Sequence, residues 1–326
     1  MSVAPGLTGF GVYSKHVPVS MIKSAINRAL AKRTYESWYP LTLLVDGDME
    51  TSGVGDHTAV ASGVPTKVAT PTTDVLFGPQ SLKVAAAGTA SGSRFEAISV
   101  EPLVQNTWLL WAIVRADVGD AKLQAWDATN SAEIDSKTWT YEGWGVLCFT
   151  FTVPLTCRTL HVRLLGNSAS DIAFWNRVGL LPVGDMVPAP DWMETRGQLK
   201  GLYQTGTGSP GSPFIGNPTQ VTWSRLESDM SAVGSQFKIR VPRISGPLWA
   251  VVRRPFASLS AMTDTTFMPR YWANAAAKFE LLRVLRIGNS GDPNAAQWGA
   301  EYKAMLPEIS RLDGKLNGLP YLQLRI

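Results

Sequence analysis

Asp46, Asp48, Glu50 and Asp56 form the densest group of chemically capable side chains in the sequence. Hard oxygen ligands this close together could hold a calcium ion, which takes carboxylates and carbonyls. The Asp and Gly residues around them are equally the material of turns. Glycoside hydrolysis would need two carboxyls facing one cleft at a set separation, and no spacing here supplies that pair. The three histidines, His16, His57 and His161, stand in unrelated contexts, with no HExxH, GxSxG or Walker pattern around them. His161 falls on the outer face of an expected strand, where it reads as an ordinary surface histidine. Gly206, Gly208 and Gly211 fit GxGxxG formally, but Pro210 and Pro213 stand where a phosphate-binding helix would have to start. Cys148 and Cys157 are the only cysteines and form no CxxC pair, so free thiols are expected rather than a disulfide or zinc site. The chain therefore reads as a protein that is not an enzyme.

Aromatic faces could do a different kind of work. Trp108, Trp111, Trp126, Trp139 and Trp144 cluster in one stretch, and such rings either stack on sugars or fill a core. Trp108 and Trp111 differ by an odd number, so they point to opposite faces of one strand. If one lines a groove, at most the other is in the core.

The elements that must carry these residues change in character along the chain. Ser20 can cap a helix whose apolar positions Ile22, Ala25, Ile26, Ala29 and Leu30 make one stripe. From Leu41 to about Val183, short β-branched and aromatic runs alternate with Gly, Pro, Asn and Asp, the pattern of an all-β sandwich. The expected strands are residues 41–45, 81–85, 95–100, 108–116, 121–127, 146–153, 159–164 and 172–181. Within them Leu147, Phe149 and Phe151 face the core, while Cys148, Thr150 and Thr152 face out. Residues 187–219 read as a linker or extended arm. Strands over 236–241 and 248–253 then form a hairpin around Pro242–Pro247. Two helices follow, one from Pro269 to Arg286 ended by Gly288, the other opened by Asp292 and Pro293 and crossed by Pro307.

Charge divides the chain in the same places. Residues 41–186 carry nine basic and fifteen acidic side chains, whereas residues 1–40 and 187–326 are net basic, by +4 and +6. An acidic middle between basic flanks points to an insertion. The longest apolar run, Trp108 to Val114, falls far short of the ~20 residues of a membrane helix, so no membrane partner is expected. The N-terminus has neither the basic start nor the apolar core of a signal peptide, and the protein is expected to be made in the cytoplasm of its host.

Residues 44–182 resemble the jelly-roll carbohydrate-binding modules of the family 4 and 9 type. The matching pieces are Leu44 to Glu50, Gly78 to Val84, Trp126 with Asp127, and Phe174 to Pro182. The resemblance implies a structural calcium held by the opening segment and the closing strand, here Asp48, Glu50 and Asn176, with Asn176 standing where an acid is usual. The C-terminal part resembles bacteriophage head-to-tail adaptor proteins, through Arg254-Pro255, Thr263 to Pro269, Gly291-Asp292 and Glu301-Tyr302.

The fold expected from all this is a jelly-roll β-sandwich (41–186) inserted into a helical adaptor domain with a β-hairpin (1–40 and 187–326). The adaptor resemblance implies a virion protein of the phage neck, in a homo-oligomeric ring, usually a dodecamer, below the portal protein. Other neck or tail proteins and the packaged DNA would be its further partners. Ile22, Ile26, Leu30, Phe279 and Leu282 are the candidate assembly residues. The alternative is a head, tail or fibre decoration protein whose jelly roll binds carbohydrate. Beyond the calcium, no cofactor is expected.

Overall fold

The computed structural model describes residues 19–32, 34–51, 53–69, 73–78, 80–101, 103–190, 193, 198–206, 219–221, 230–233, 236–255, 270–288 and 294–317. They fall into two compact units, divided at Ser37/Trp38 and at Val252/Arg253. In chain order come α1 (Val19–Ala31), β1 (Thr34–Pro40), β2 (His57–Val60), β3 (Val64–Ala69), β4 (Gln80–Ala85), β5 (Gly92–Phe95) and β6 (Ile98–Ser99). Next are β7 (Thr107–Val118), β8 (Ala121–Asp127), β9 (Ala132–Trp139), β10 (Gly145–Thr152), β11 (Thr159–Leu165) and β12 (Ile172–Pro182). The rest are β13 (Met186–Pro188), β14 (Leu199–Gln204), β15 (Thr219–Gln220), β16 (Met230–Val233), β17 (Gln236–Arg240), β18 (Leu248–Pro255), α2 (Arg270–Gly288) and α3 (Ala295–Asn317).

Strands β2 to β12 make an antiparallel sandwich. One sheet runs β10-β7-β12-β4-β3, the other β2-β5-β11-β8-β9 with β6 beside β11. The chain passes back and forth between the sheets in the manner of a double-sheet roll. Alternating side chains meet between them: Trp108, Leu110, Ala112 and Val114 from β7, Leu147, Phe149 and Phe151 from β10, and Leu160, Val162 and Leu164 from β11.

The other side of β7 is apolar as well. Leu109, Trp111 and Ile113, with Val146, Cys148 and Leu181 from its neighbours, enter a second core with Val187, Leu199, Leu202, Ile239, Val241, Leu248 and Trp249. That core is closed by two small sheets, β1-β18-β14-β15 and β13-β17-β16. Trp111 packs against Trp249 at 5.0 Å between ring centroids, and its indole lies over Gly179 of β12, where a Cβ would come within 2.2 Å of the ring nitrogen. The centre of the five-stranded sheet is thus covered on both faces, which is why β7 reads as a continuous apolar run rather than an alternation.

Several expectations change on this account. The sequence division at 186/187 cuts through a core, since residues on both sides of it pack together; the compact unit runs on to Val252. The segment after Val187 is not an arm throughout, because Leu199–Gln204 pairs with β18. β17 and β18 form no hairpin with each other: they belong to different sheets, turned apart by the proline-bounded loop between them. Cys148 faces the second core and is 5 % exposed, while Thr150 and Thr152 are exposed. Residues 41–45 form no strand. Within the sandwich β2, β3 and β9 were not expected, and all are sheet edges; outside it β1, β13, β14, β15 and β16 were not expected either. Edge strands are polar or proline-bearing, as Pro65 and Lys67 in β3 show, and carry little apolar periodicity.

In the other unit, α1 packs on α2 and α2 on α3. Ala25, Ile26, Ala29 and Leu30 meet Trp272, Ala276, Leu281, Leu282, Leu285, Ile309 and Leu312. Gly288 ends α2 as expected and Pro307 lies within α3; the Asp292–Pro293 start lies outside the described residues. Of the five candidate assembly residues, Ile26, Leu30 and Leu282 are buried in this core, and Ile22 and Phe279 pack against it. Phe279 stacks on Tyr302 at 4.6 Å. These side chains are occupied in holding the unit together, so an assembly surface would have to use others.

Two-sided burial gives a direct test. Residues 38–252 expressed alone should be a soluble monomer, whereas 41–186 should bind a hydrophobic dye and aggregate, because Leu109, Trp111, Ile113 and Leu181 lose their cover and leave a contiguous apolar patch. A well-behaved, dye-silent 41–186 fragment would show that the second layer is not structurally required.

Candidate functional site

The carboxylate cluster does not assemble as a cation site. Asp46, held at φ +57°, turns inward, where its Oδ2 meets His57 Nε2 at 3.0 Å and the Lys67 ammonium, and its Oδ1 accepts from the Thr51 amide at 2.8 Å. Burial pushes the Asp46 carboxyl up, but His57, Lys67 and the Thr51 amide outweigh it and hold the group below the usual carboxylate range. β2 and β3 are edge strands of the two facing sheets, so this trio ties one side of the sandwich together. Asp56 is partly exposed and takes no place in it.

Asp48, Glu50 and Asn176, the calcium ligands implied by the family resemblance, are not turned toward one point. The Asn176 side chain accepts from Phe77 N at 3.0 Å and donates to Phe77 O at 2.9 Å and Ser81 Oγ at 2.9 Å, which pins β12 to the start of β4. The Arg177 guanidinium sits instead against the Asp48 carbonyl, the Asn176 carbonyl at 2.9 Å and Glu50 Oε1 at 3.3 Å. Gly78, at φ +71°, lets it lie there, since a Cβ on that residue would stand 2.5 Å from Arg177 Nη2. A built-in cation therefore occupies the neighbourhood where the resemblance implied calcium. Among the described residues no group of three or more His, Cys, Asp or Glu is arranged to hold a metal.

The five tryptophans separate by environment. Trp108 is in the sandwich core and Trp111 in the second core, so neither lines a groove. Trp139 is 7 % exposed and donates to the carbonyls of Tyr141 and Gly143. Trp144 packs against the second core and donates to Thr73 O. Trp126 alone of the five lies on the outer face of the six-stranded sheet, partly exposed.

That outer face is built from three neighbouring strands. Register places Arg94 of β5 opposite Arg163 of β11, Arg163 opposite Gln124 of β8, and His161 opposite Trp126. The Arg163 guanidinium lies 3.6 Å from the centre of the Trp126 ring, close enough for cation–π attraction. Arg94 Nη1 and His161 Nδ1 are 3.0 Å apart; since guanidinium only donates, His161 Nδ1 accepts and its proton is on Nε2. Burial, then the charges of Arg94 and Arg163, lower the His161 pKa to about 4. Gln124, 3 % exposed, donates to Glu133, which also pairs with Lys122 at 2.8 Å. Two buried polar atoms here have no partner among the described residues, Arg163 Nε and Gln124 Oε1. The ordinary surface histidine expected at 161 is thus 9 % exposed and sits between two arginines.

Neither cysteine is poised for chemistry: burial raises the Cys148 thiol to about 12 and the Cys157 thiol to about 11. A cleft lined by Asn106, Asp185, Gln204, Arg243 and Ser245 has no aromatic side chain in its wall. Gly208 and Gly211 lie outside the described residues, as does His16.

No protein-family model matches the chain, and no curated protein matches it. Solved structures similar to it include the CBM22-1 xylan-binding domain of Paenibacillus barcinonensis Xyn10C, at 15 % identity and TM-score 0.32 over 42 % of this chain and 90 % of that one. TmCBM61, solved in complex with β-1,4-galactotriose, is 14 % identical at TM-score 0.33, over 43 % of this chain and 98 % of the other. The enzymatically active domain of bacteriophage CBA120 tailspike protein 4 is 13 % identical at TM-score 0.30, over 43 % of this chain and 22 % of that one.

Two measurements check the site. The folded state resists protonating His161, so the unfolded chain takes up that proton first as pH falls below about 6.5, and stability should decline from there to about pH 4 and then level off. His161→Gln should flatten that part of a urea-unfolding pH profile; an unchanged slope would contradict the assignment. For Arg177, replacement by Leu should lower stability by roughly 3 kcal/mol through the stranded Glu50 and carbonyls, while a chelator should leave the melting temperature of the natural protein unmoved.

Proposed function

We propose that this protein is a non-enzymatic glycan-binding component of a tailed-phage particle, a head, tail or fibre decoration protein, and that the outer face of its six-stranded sheet is the binding surface. One observation carries the reading. The sandwich has two outer faces; the second core covers one of them over β7, β10 and part of β12, and the other presents Trp126 with Arg94, Gln124, His161 and Arg163 around it. A partly exposed indole ringed by hydrogen-bonding groups is the chemistry that takes a sugar ring, apolar face to aromatic face and hydroxyls to the polar rim. The phage setting rests on the resemblance of the C-terminal part to head-to-tail adaptors. The helical unit, built from both ends of the chain, would be the attachment to the particle.

A second reading is the head-to-tail adaptor itself, a ring of this chain below the portal, in contact with neck or tail proteins and the packaged DNA. The feature that favours it is that α1 joins α2 and α3 in one helical unit, α1 packing on α2 and α2 on α3, as that resemblance implies. Ring formation on a purified portal, seen by electron microscopy, would support it.

For the glycan reading, affinity electrophoresis in gels containing envelope polysaccharide of host bacteria should retard the full chain. Trp126→Ala should weaken binding at least tenfold, about 1.4 kcal/mol. Tyr141→Ala, at an exposed ring away from this face, should not. Retardation unchanged by Trp126→Ala would place the binding surface elsewhere.

A further inference from the structure

We infer that the glycan bound on this face is acidic, carrying a carboxylate or a sulfate that Arg94 and Arg163 receive together. The inference rests on the glycan reading above and adds the charge of the ligand.

Residues 41–186 contain five arginines, and they divide cleanly by partner. Arg115, Arg158 and Arg177 each have a carboxylate oxygen within 3.3 Å. Arg94 and Arg163 have no such ion pair among the described residues, although they are directly opposite each other on adjacent strands. Like charges set opposite across a sheet repel, and Arg163 registers the cost: burial and then the Arg94 charge both lower its pKa. His161 brings no counter-charge, since it stays neutral and accepts from Arg94. The nearest acid of the row, Glu133, is already taken by Lys122, Gln124 and Ser136. The positive pair therefore lacks an anion that the described residues do not provide.

The accessible part of this row fits a sugar acid. Arg94 and Arg163 are both partly exposed, so the two guanidinium groups can meet one anionic group carried on a sugar ring. Trp126 lies in the adjacent row, opposite His161, within reach of the same ring. A polyphosphate fits less well. It offers no apolar ring face to Trp126, whereas a sugar acid brings such a face together with one anionic group for the two arginines.

The test uses the full chain and calorimetry against polygalacturonate, alginate, chondroitin sulfate and dextran sulfate, each beside its carboxyl-reduced or desulfated form, with a duplex DNA oligonucleotide in parallel. At least one acidic glycan should bind ten times or more tighter than its neutralised form, and the uronate and sulfate arms identify which anion is read. Arg94→Gln, which keeps hydrogen-bond donors but removes the charge, should abolish that preference while binding of the neutral form persists. Equal binding of acidic and neutral forms, lost on Trp126→Ala, would overturn the acidic ligand and leave the glycan face standing. No binding to any of these glycans, acidic or neutral, or binding of the DNA alone, would overturn this inference, and the envelope-polysaccharide gels then decide the wider reading independently.

Discussion

Strand β7 is apolar on both faces, and most of the architecture follows from that constraint. A strand with Trp108, Leu110 and Ala112 on one side and Leu109, Trp111 and Ile113 on the other cannot lie at a water surface. At roughly 25 cal/mol per Å² of apolar area, leaving either set exposed would cost several kcal/mol, a large share of the roughly 5–15 kcal/mol by which domains are stable. The chain must therefore supply two covering layers. The six-stranded sheet is one, and the small sheets around Trp249 are the other. This explains why the compact unit extends past Val187 to Val252.

Within that frame the protein uses its own cations where an ion might have served. Lys67 meets Asp46 and Arg177 meets Glu50, in both cases joining an irregular loop of residues 42–51 to a strand. A buried ion pair gains little net stability over an apolar pair of the same shape, but stranding one partner is expensive. Such pairs therefore act as locks on register and loop position. Asn176 extends the same lock: an amide there can both accept from Phe77 N and donate to Ser81 Oγ, which a carboxylate could not do.

The sequence was readable where periodicity is strong. β8 has the bounds expected from its residues, β4, β7, β10, β11 and β12 are within a residue or two of theirs, and α2 stops at Gly288. Edge strands such as β9, AEIDSKTW, were missed because half-exposed polar strands lack that periodicity. The second core was hidden for a different reason. Trp108 to Val114 is too short for a membrane helix, and an unbroken apolar run in a strand is itself the mark of two-sided burial, but nothing local says which segments supply the second cover. Trp126 and His161 stand out in the sequence, but the other members of their row do not. Arg94, Gln124 and Arg163 come from three strands far apart in sequence, and only the pairing register, which is not written in any one segment, brings them into a row. The alternation in Thr159–Leu165, with His161 and Arg163 on one face against Leu160, Val162 and Leu164 on the other, was the one local signal available.

The same logic separates the roles of the two units. In the helical unit the apolar stripe of α1 is consumed by α2, and Glu280, 1 % exposed, is met by Lys32 at 2.7 Å and Arg283 at 3.1 Å. Its charges and apolar side chains thus find partners inside the unit. The sandwich does the same almost everywhere, pairing Arg115 with Asp74, Arg177 with Glu50 and Lys67 with Asp46. Because Arg115, Arg158 and Arg177 each have a carboxylate, the two sandwich arginines that have none among the described residues stand out. On the outer face of the six-stranded sheet, two arginines face each other without a carboxylate, and two buried polar atoms stand without partners within one strand spacing of them. Contact with the Trp126 ring holds Arg163 and the His161 nitrogen holds Arg94, so the two charges are fixed side by side, and the proposed acidic glycan would supply the anion they lack.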